Sequence, residues 1–385
     1  MHDFTGNLFS KLPNAGTSIF AIMSKMAAEH QAINLSQGFP DFPISDKLIA
    51  RVNHYMKKGF NQYAPMPGVP ELRKAISQKV AHTYGITYDY QDEITITAGA
   101  TQALFTAISA FVRDQDEVII FEPAYDSYAP VVKACGGVVK STILKLPDFH
   151  IDWQEVKRLI SSRTRMIIIN SPHNPTGSLI SESDMIQLDT LTKNTDIIIL
   201  SDEVYEHLIF DGKIHQSVCR FQSLINRSLV VGSFGKTFHA TGWKTGFVLA
   251  PANLTLEFRK IHQFVVFASN TPIQFAIADF LGDPANYEGL GEFYQQKRDF
   301  FVNGLARSRF EVFPSYGTYF QVLGYGGISN ENDMAFATKL TKEHGVASIP
   351  LSPFFSHGSD QFLLRFCFAK KENTLTAAID RLCKI

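Results

Sequence analysis

Lys236 and Lys244 share a stretch of small residues and hydroxyls, Ser233-Phe234-Gly235-Lys236-Thr237-Phe238-His239-Ala240-Thr241-Gly242-Trp243-Lys244-Thr245-Gly246, directly after an apolar run. A lysine there can form a Schiff base with an aldehyde, while a second lysine and the hydroxyls donate to a phosphate. A lone loop lysine is more simply a solvated side chain, so the weight falls on what accompanies it. Thr97-Ala98-Gly99-Ala100-Thr101-Gln102 marks a strand end followed by a helix start. Free N–H groups at such a terminus make an anion site, although Thr101 could equally be a plain cap. Ile197-Ile198-Ile199-Leu200-Ser201-Asp202-Glu203-Val204-Tyr205 puts an acid at a strand's carboxyl end. A carboxylate in that place can hold a pyridine nitrogen protonated and turn the ring into an electron sink.

Two further stretches leave alternatives open. Asn170-Ser171-Pro172-His173-Asn174-Pro175-Thr176-Gly177 is rich in turn residues, and Asn174 can donate to a ring oxygen. Turn chemistry alone also accounts for Asn-Pro and Thr-Gly. In Leu363-Leu364-Arg365-Phe366-Cys367-Phe368 one guanidinium interrupts an apolar run. It either receives a carboxylate or belongs to an edge strand, with its stem packed and its head in water.

The elements that position these groups read as α/β. Short apolar runs at 94–97, 118–121, 138–143, 166–170, 197–201, 229–233 and 246–250 are continuous rather than alternating, as in strands covered by helices on both faces. Helical patterns occupy 101–112, 153–160, 182–193 and 272–281. The spacing predicts a mostly parallel sheet, with ligands beyond the carboxyl ends of its strands. After a helical pattern over 292–307, runs at 310–313, 318–323, 347–349 and 362–368 alternate with helices at 333–344 and 372–382. This second texture predicts a smaller α+β unit.

Taken in order, these segments resemble the class I and II aminotransferases of pyridoxal-phosphate fold type I. Gln37-Gly38-Phe39-Pro40-Asp41-Phe42, Asn61-Gln62-Tyr63, the Asn-Pro-x-Gly turn, Ser-Asp-Glu-Val-Tyr and Ser-Phe-Gly-Lys carry the resemblance. Leu35-Ser36-Gln37-Gly38, Tyr125-Asp126-Ser127-Tyr128 and Phe366-Cys367-Phe368-Ala369-Lys370-Lys371 are similar to the methionine aminotransferase branch and its kynurenine and glutamine-transaminase-K type relatives. The resemblance implies a large domain over 46–289, with a seven-stranded sheet between helices, and a small domain built from 1–45 and 290–385.

It also implies residue roles. Lys236 becomes the Schiff-base lysine and proton shuttle, Asp202 the partner of the pyridinium, and Tyr205 and Asn174 the partners of the ring oxygen. Tyr125 stacks on the ring. Gly99, Ala100, Thr101, Ser233 and Lys244 hold the phosphate, with Tyr63 reaching it from a partner subunit of a homodimer. Lys244 stands where many relatives have Arg, so a point charge replaces a planar fork. Arg365, Asn174 and the backbone of Gly38 bind the substrate α-carboxylate. Phe20, Phe39, Tyr125 and Phe267, with Phe354 or Phe355, imply an apolar donor such as methionine, phenylalanine, tyrosine, kynurenine or glutamine, passing its amino group to a 2-oxo acid.

The composition excludes other classes. The 385-residue chain carries 36 Lys and Arg against 37 Asp and Glu, a formal charge of −1, which disfavours nucleic-acid and anionic-membrane binding. Cys135, Cys219, Cys367 and Cys383 are scattered, with no histidine at metal-ligand spacing, so no metal is expected. No run reaches the ~18 apolar residues of a membrane span, and no secretory leader is evident, which predicts a cytoplasmic protein. Phe supplies 32 residues, expected mostly as core. Two competing functions remain: β-elimination from cysteine conjugates or cystathionine on the same cofactor, and a pyridoxal-binding regulator. The second is disfavoured by the charge and by the presence of Lys236, Asp202 and Arg365 together.

Overall fold

The computed structural model describes residues 2–385. β1 (Ile33–Asn34) is followed by β2 (Ile94–Thr97), β3 (Glu117–Glu122), β4 (Val138–Ile143), β5 (Thr164–Asn170), β6 (Ile198–Asp202), β7 (Ser228–Ser233) and β8 (Gly246–Leu249). The last seven form one sheet in the order β2-β8-β7-β6-β5-β3-β4. β4, β3, β5, β6 and β7 are parallel throughout, and β8 runs antiparallel to both β2 and β7. The expected mostly parallel α/β sheet is therefore present.

The continuous apolar runs have the predicted cause. Ile167, Ile169 and Ile199 pack on one face of the sheet with helices Pro70–Tyr84 and Glu182–Thr192. Met166, Ile168 and Leu200 pack on the other face with helices Ala100–Phe111 and Ala252–Val265. Successive side chains point to opposite faces, so a strand covered on both must be apolar at every position.

Helices Pro70–Tyr84 and Ala252–Val265 were not among the predicted elements. Their buried faces include Arg73, Ser77 and Lys79 in the first and Thr255 and His262 in the second, and these polar side chains break the apolar stripe. Lys79 is held by an ion pair with Glu206, and the Ser77 hydroxyl donates to the Tyr88 carbonyl at 2.7 Å.

β9 (Glu311–Val312), β10 (Phe320–Gly324), β11 (Val346–Ala347), β12 (Ile349–Pro350) and β13 (Leu363–Cys367) make up the second texture. β12-β13-β10-β9 is an antiparallel sheet, and β11 pairs in parallel with β1. The single strand predicted over 347–349 is thus two short ones, divided at Ser348. β13 lies between β12 and β10, with Arg365 opposite Val322 and Ile349. The edge-strand reading of Arg365 is wrong: both neighbours are present and the side chain is 1% exposed. Among the described residues no helix is long and apolar enough to cross a membrane, and no cluster of metal ligands occurs.

Candidate active site

Sheet register gathers the predicted segments along one edge. Thr97 of β2 pairs with Gly246, which also pairs with Ser233 of β7, while Asn170 of β5 pairs with Asp202 of β6. β8 is reversed, so its first residue meets the last residues of its neighbours, and the loop carrying Lys244 arrives at the carboxyl edge. The resulting cavity of 180 Å³ is lined by Gly99, Ala100, Thr101, Tyr125, Asn174, Asp202, Tyr205, Ser233, Lys236 and Lys244. Asn170, Thr241 and Thr245 complete its polar lining and were not predicted, although each lies beside a predicted residue.

At one end helix Ala100–Phe111 begins without a side-chain cap. Its first-turn N–H groups, free of intrahelical partners, face an anion by default. Gly99 has φ +81°, a left-handed backbone that glycine adopts without strain. Ser233, opposite Gly246 in the sheet, also lines the cavity.

Lys236 sits in the short helix Phe234–Thr237 directly after β7. Its Nζ donates to Tyr319 Oη at 2.7 Å and to the Gly38 carbonyl at 3.4 Å. Burial pushes the amine down to about 8, aided by Arg365 and Lys244 and opposed by Cys367 and Asp202. A substantial neutral fraction near physiological pH makes the lysine a nucleophile.

Asp202 is 3% exposed. Its Oδ2 accepts from Tyr128 at 2.6 Å, and its Oδ1 accepts only a long contact from the Val204 N–H at 3.4 Å. Burial raises this carboxyl to about 6, against the Tyr128 hydrogen bond that favours ionisation. Tyr205 is buried beside it, with Lys236 Nζ 5.3 Å from its ring centre.

Arg365 Nη1 donates to Asn174 Oδ1 at 2.8 Å, and Nη2 donates to the Ser36 carbonyl at 3.0 Å. Nε is buried without a partner, and no carboxylate lies in ion-pair contact with this guanidinium among the described residues. Phe320 lies 3.9 Å beneath it, with Phe20 at 5.1 Å and Phe354 at 5.8 Å. Burial lowers the guanidinium to about 10. Because Asn174 spends its oxygen on Arg365, its amide N–H groups are left for a ligand.

The remaining predicted residues are placed unevenly. Gly38 is tied in by its carbonyl, which accepts from Tyr319 at 2.6 Å. Phe20 packs on Phe354, centroids 5.8 Å apart, rather than on Phe355. Phe39 is 40% exposed, held through its carbonyl by Lys370 Nζ at 2.8 Å. Tyr63 and Phe267 do not line this cavity; they stack edge-on at 5.3 Å, with Tyr63 85% exposed. Tyr128 and Tyr319, which touch Asp202 and Lys236, were missed. Tyr128 stood inside a quoted motif, but nothing local showed which residue it would reach.

A half-buried amine near neutrality, a buried carboxyl in the same cavity and an uncapped helix start fit an aldehyde, a ring nitrogen and a phosphate on one molecule. Pyridoxal phosphate has that donor and acceptor set.

Comparison with known proteins agrees. The family model for aminotransferase class I and II matches residues 30–382. The chain is 50% identical to the methionine aminotransferase of Escherichia coli over 97% of each chain. It is 32% identical to a human kynurenine–oxoglutarate transaminase over 94% of each. A solved E. coli structure with an identified methionine aminotransferase function superposes with a TM-score of 0.96 at 49% identity, covering 98% of this chain and 100% of that one. For the N-succinyldiaminopimelate aminotransferase of Mycobacterium tuberculosis the TM-score is 0.94 at 35% identity, with 98% and 100% covered. These relatives are transaminases, so the β-elimination alternative is not favoured. The chain belongs to the class I and II aminotransferases, and it is a pyridoxal-phosphate-dependent enzyme of fold type I that transfers amino groups.

Proposed function

We propose that the protein moves the amino group of methionine, and of aromatic donors, kynurenine and glutamine, to a 2-oxo acid in a ping-pong cycle. One observation carries the reading: Arg365 is buried against three phenylalanine rings with no carboxylate of its own. An unpaired buried charge costs about 3–5 kcal/mol. A ligand carboxylate between Arg365, the Asn174 amide and the Gly38 N–H relieves that cost. It also sets a donor's Cα near Lys236.

In this reading Gly99, Ala100, Thr101, Ser233 and Lys244 hold the phosphate, and Tyr125 covers the ring. Asp202 keeps the ring nitrogen protonated, while Tyr205 and Asn174 donate to the ring oxygen. The bound cofactor supplies the electron sink for the carbanion at the donor Cα. Lys236 would take the proton from the donor Cα and hold it for return. Tyr128 steadies Asp202. Asp202→Asn is expected to fold, because the Tyr128 hydroxyl can donate to an amide oxygen as well. It should lower kcat by about 100-fold or more, since the substituted amide no longer stabilises a positive ring nitrogen. Wild-type kcat in this variant would contradict the role.

Donor choice follows from the surroundings. A second cavity of 450 Å³ shares Tyr125 with the first, and its lining combines Ile19, Ala124, Phe354 and Phe355 with the charged Lys11, Glu122, Asp126 and Lys133. Phe20 lies against Phe354, and no arginine stands near Phe267 in the sequence to receive a distal carboxylate. A panel of amino donors against several 2-oxo acids tests this. Methionine is expected to exceed aspartate in kcat/KM by about 100-fold. Efficient aspartate turnover would refute the pocket.

The exposed pair Tyr63 and Phe267 supports a homodimer in which each chain lends both residues to its partner's site. The parallel pairing of β1 with β11, at opposite ends of the chain, supports a large domain over 46–289 and a small one from 1–45 and 290–385. We place the enzyme in the cytoplasm, in keeping with four free cysteines.

A further inference from the structure

Tyr319, whose hydroxyl touches Lys236, has no task in the proposed cycle. Tyr319 is fully buried at the edge of β10, packed edge-on against Tyr205 at 5.1 Å and Phe320 at 4.9 Å. Its hydroxyl accepts from Lys236 Nζ at 2.7 Å and donates to the Gly38 carbonyl at 2.6 Å. No other side chain is hydrogen-bonded to the lysine amine among the described residues. The hydroxyl has a single proton, and Gly38 receives it, so towards Lys236 the oxygen can act only as an acceptor. Burial also holds the phenol well above its ordinary value, so Tyr319 stays neutral and cannot itself remove a proton from substrate.

We propose that Tyr319 is the positioning residue for the free amine of Lys236. It fixes the distance between the group that moves the Cα proton and the Gly38 segment that holds the donor's carboxylate. The lysine must leave the cofactor when a donor amine takes its place, and must then act at Cα from a defined position. A long unbranched side chain has large rotamer freedom, and a misplacement of one ångström is costly to proton transfer. Tyr319 restricts the released amine through one hydrogen bond. The same hydroxyl reaches Gly38, the carboxylate-binding segment also contacted by Arg365 through Ser36. Two ends of one substrate are thereby registered through one side chain.

The inference rests on Lys236 being the cofactor lysine, and the experiment separates the two. In the apoenzyme, acylation of Lys236 is followed by peptide mass spectrometry as a function of pH, with and without added pyridoxal phosphate. Lys236 faces Asp202, Tyr205, Cys367, Arg365 and Lys244, all unchanged in Tyr319→Phe. Losing the acceptor removes a hydrogen bond that favours the ammonium form. The pH midpoint of acylation is therefore expected to fall by roughly half a unit or more. In the loaded enzyme the donor half-reaction should slow about tenfold. KM for methionine should change by less than about threefold, since Arg365 and Asn174 keep their own contacts.

Tyr294→Phe is the control. That residue also loses a buried hydroxyl, 5.8 Å away ring to ring, but the hydroxyl has no partner and does not touch Lys236. Its midpoint and rate should match wild type. An unmoved midpoint and rate in Tyr319→Phe, with cofactor still protecting Lys236 from acylation, would overturn the inference alone. Failure of the cofactor to protect Lys236 would overturn the lysine assignment and the inference with it.

Discussion

Lys236→Ala is expected to fold and to lose turnover by about 10⁴-fold or more, together with the visible absorbance of lysine-bound cofactor. In the proposed cycle the lysine has two duties, covalent attachment and proton transfer at Cα, and the second alone contributes up to about 10⁴-fold. No other base in the cavity is free to substitute. Asp202 is committed to Tyr128 and Val204, Tyr205 and Tyr319 are pushed far above neutrality by burial, and Lys244 stands by the phosphate end. Folding should survive, because the substitution removes a desolvated amine from a short helix and leaves the hydrogen bond from Tyr319 to Gly38 in place. Steady-state kinetics and an absorbance spectrum check both statements. A Lys236→Ala protein with full activity would contradict the assignment.

Arg365→Met is the second large effect, and it is expected to separate activity from stability. In the complex the guanidinium offers a carboxylate charged hydrogen bonds worth roughly 1.5–3 kcal/mol each. Losing two of them corresponds to a fall in kcat/KM of about 10²–10⁴-fold. In the protein without substrate the same group is a liability, buried and without a carboxylate, and lowered to about 10 by desolvation. Methionine fills comparable space among Phe20, Phe320 and Phe354 without that cost. The Ser36 carbonyl and Asn174 amide oxygen lose a donor, which offsets part of the gain. The melting temperature should therefore stay within about 4 °C of wild type while catalysis collapses. A large drop in melting temperature would mean that Arg365 is a structural residue.

Much of this site was legible because its signals are local. Lys236, Asp202, Asn174 and Gly99 each stand within a few residues of the end of an apolar strand, where an open α/β sheet binds its ligands. The parallel sheet was legible for a related reason, since strands buried on both faces must be apolar at every position. Arg365 declared itself as a charge in an apolar run, but whether it was an edge residue depended on β12 pairing with β13, which no local pattern shows.

The contacts that tune the site were not legible. Tyr128 meets Asp202 across 74 positions and Tyr319 meets Lys236 across 83, and no local pattern encodes such a pairing. Helix Pro70–Tyr84 was hidden because it buries Arg73, Ser77 and Lys79 among their partners, against the usual stripe. The phenylalanine excess is mostly core, yet Phe20, Phe320 and Phe354 surround the guanidinium.

Transamination of a methionine-like donor runs in two separable halves. Loaded enzyme mixed with L-methionine, without any 2-oxo acid, isolates the first half. The expected result is one equivalent of methionine's 2-oxo acid per active site, no ammonia, and loss of the visible cofactor band until an acceptor 2-oxo acid restores it. Continuous ammonia release, or no product from methionine at all, would contradict it.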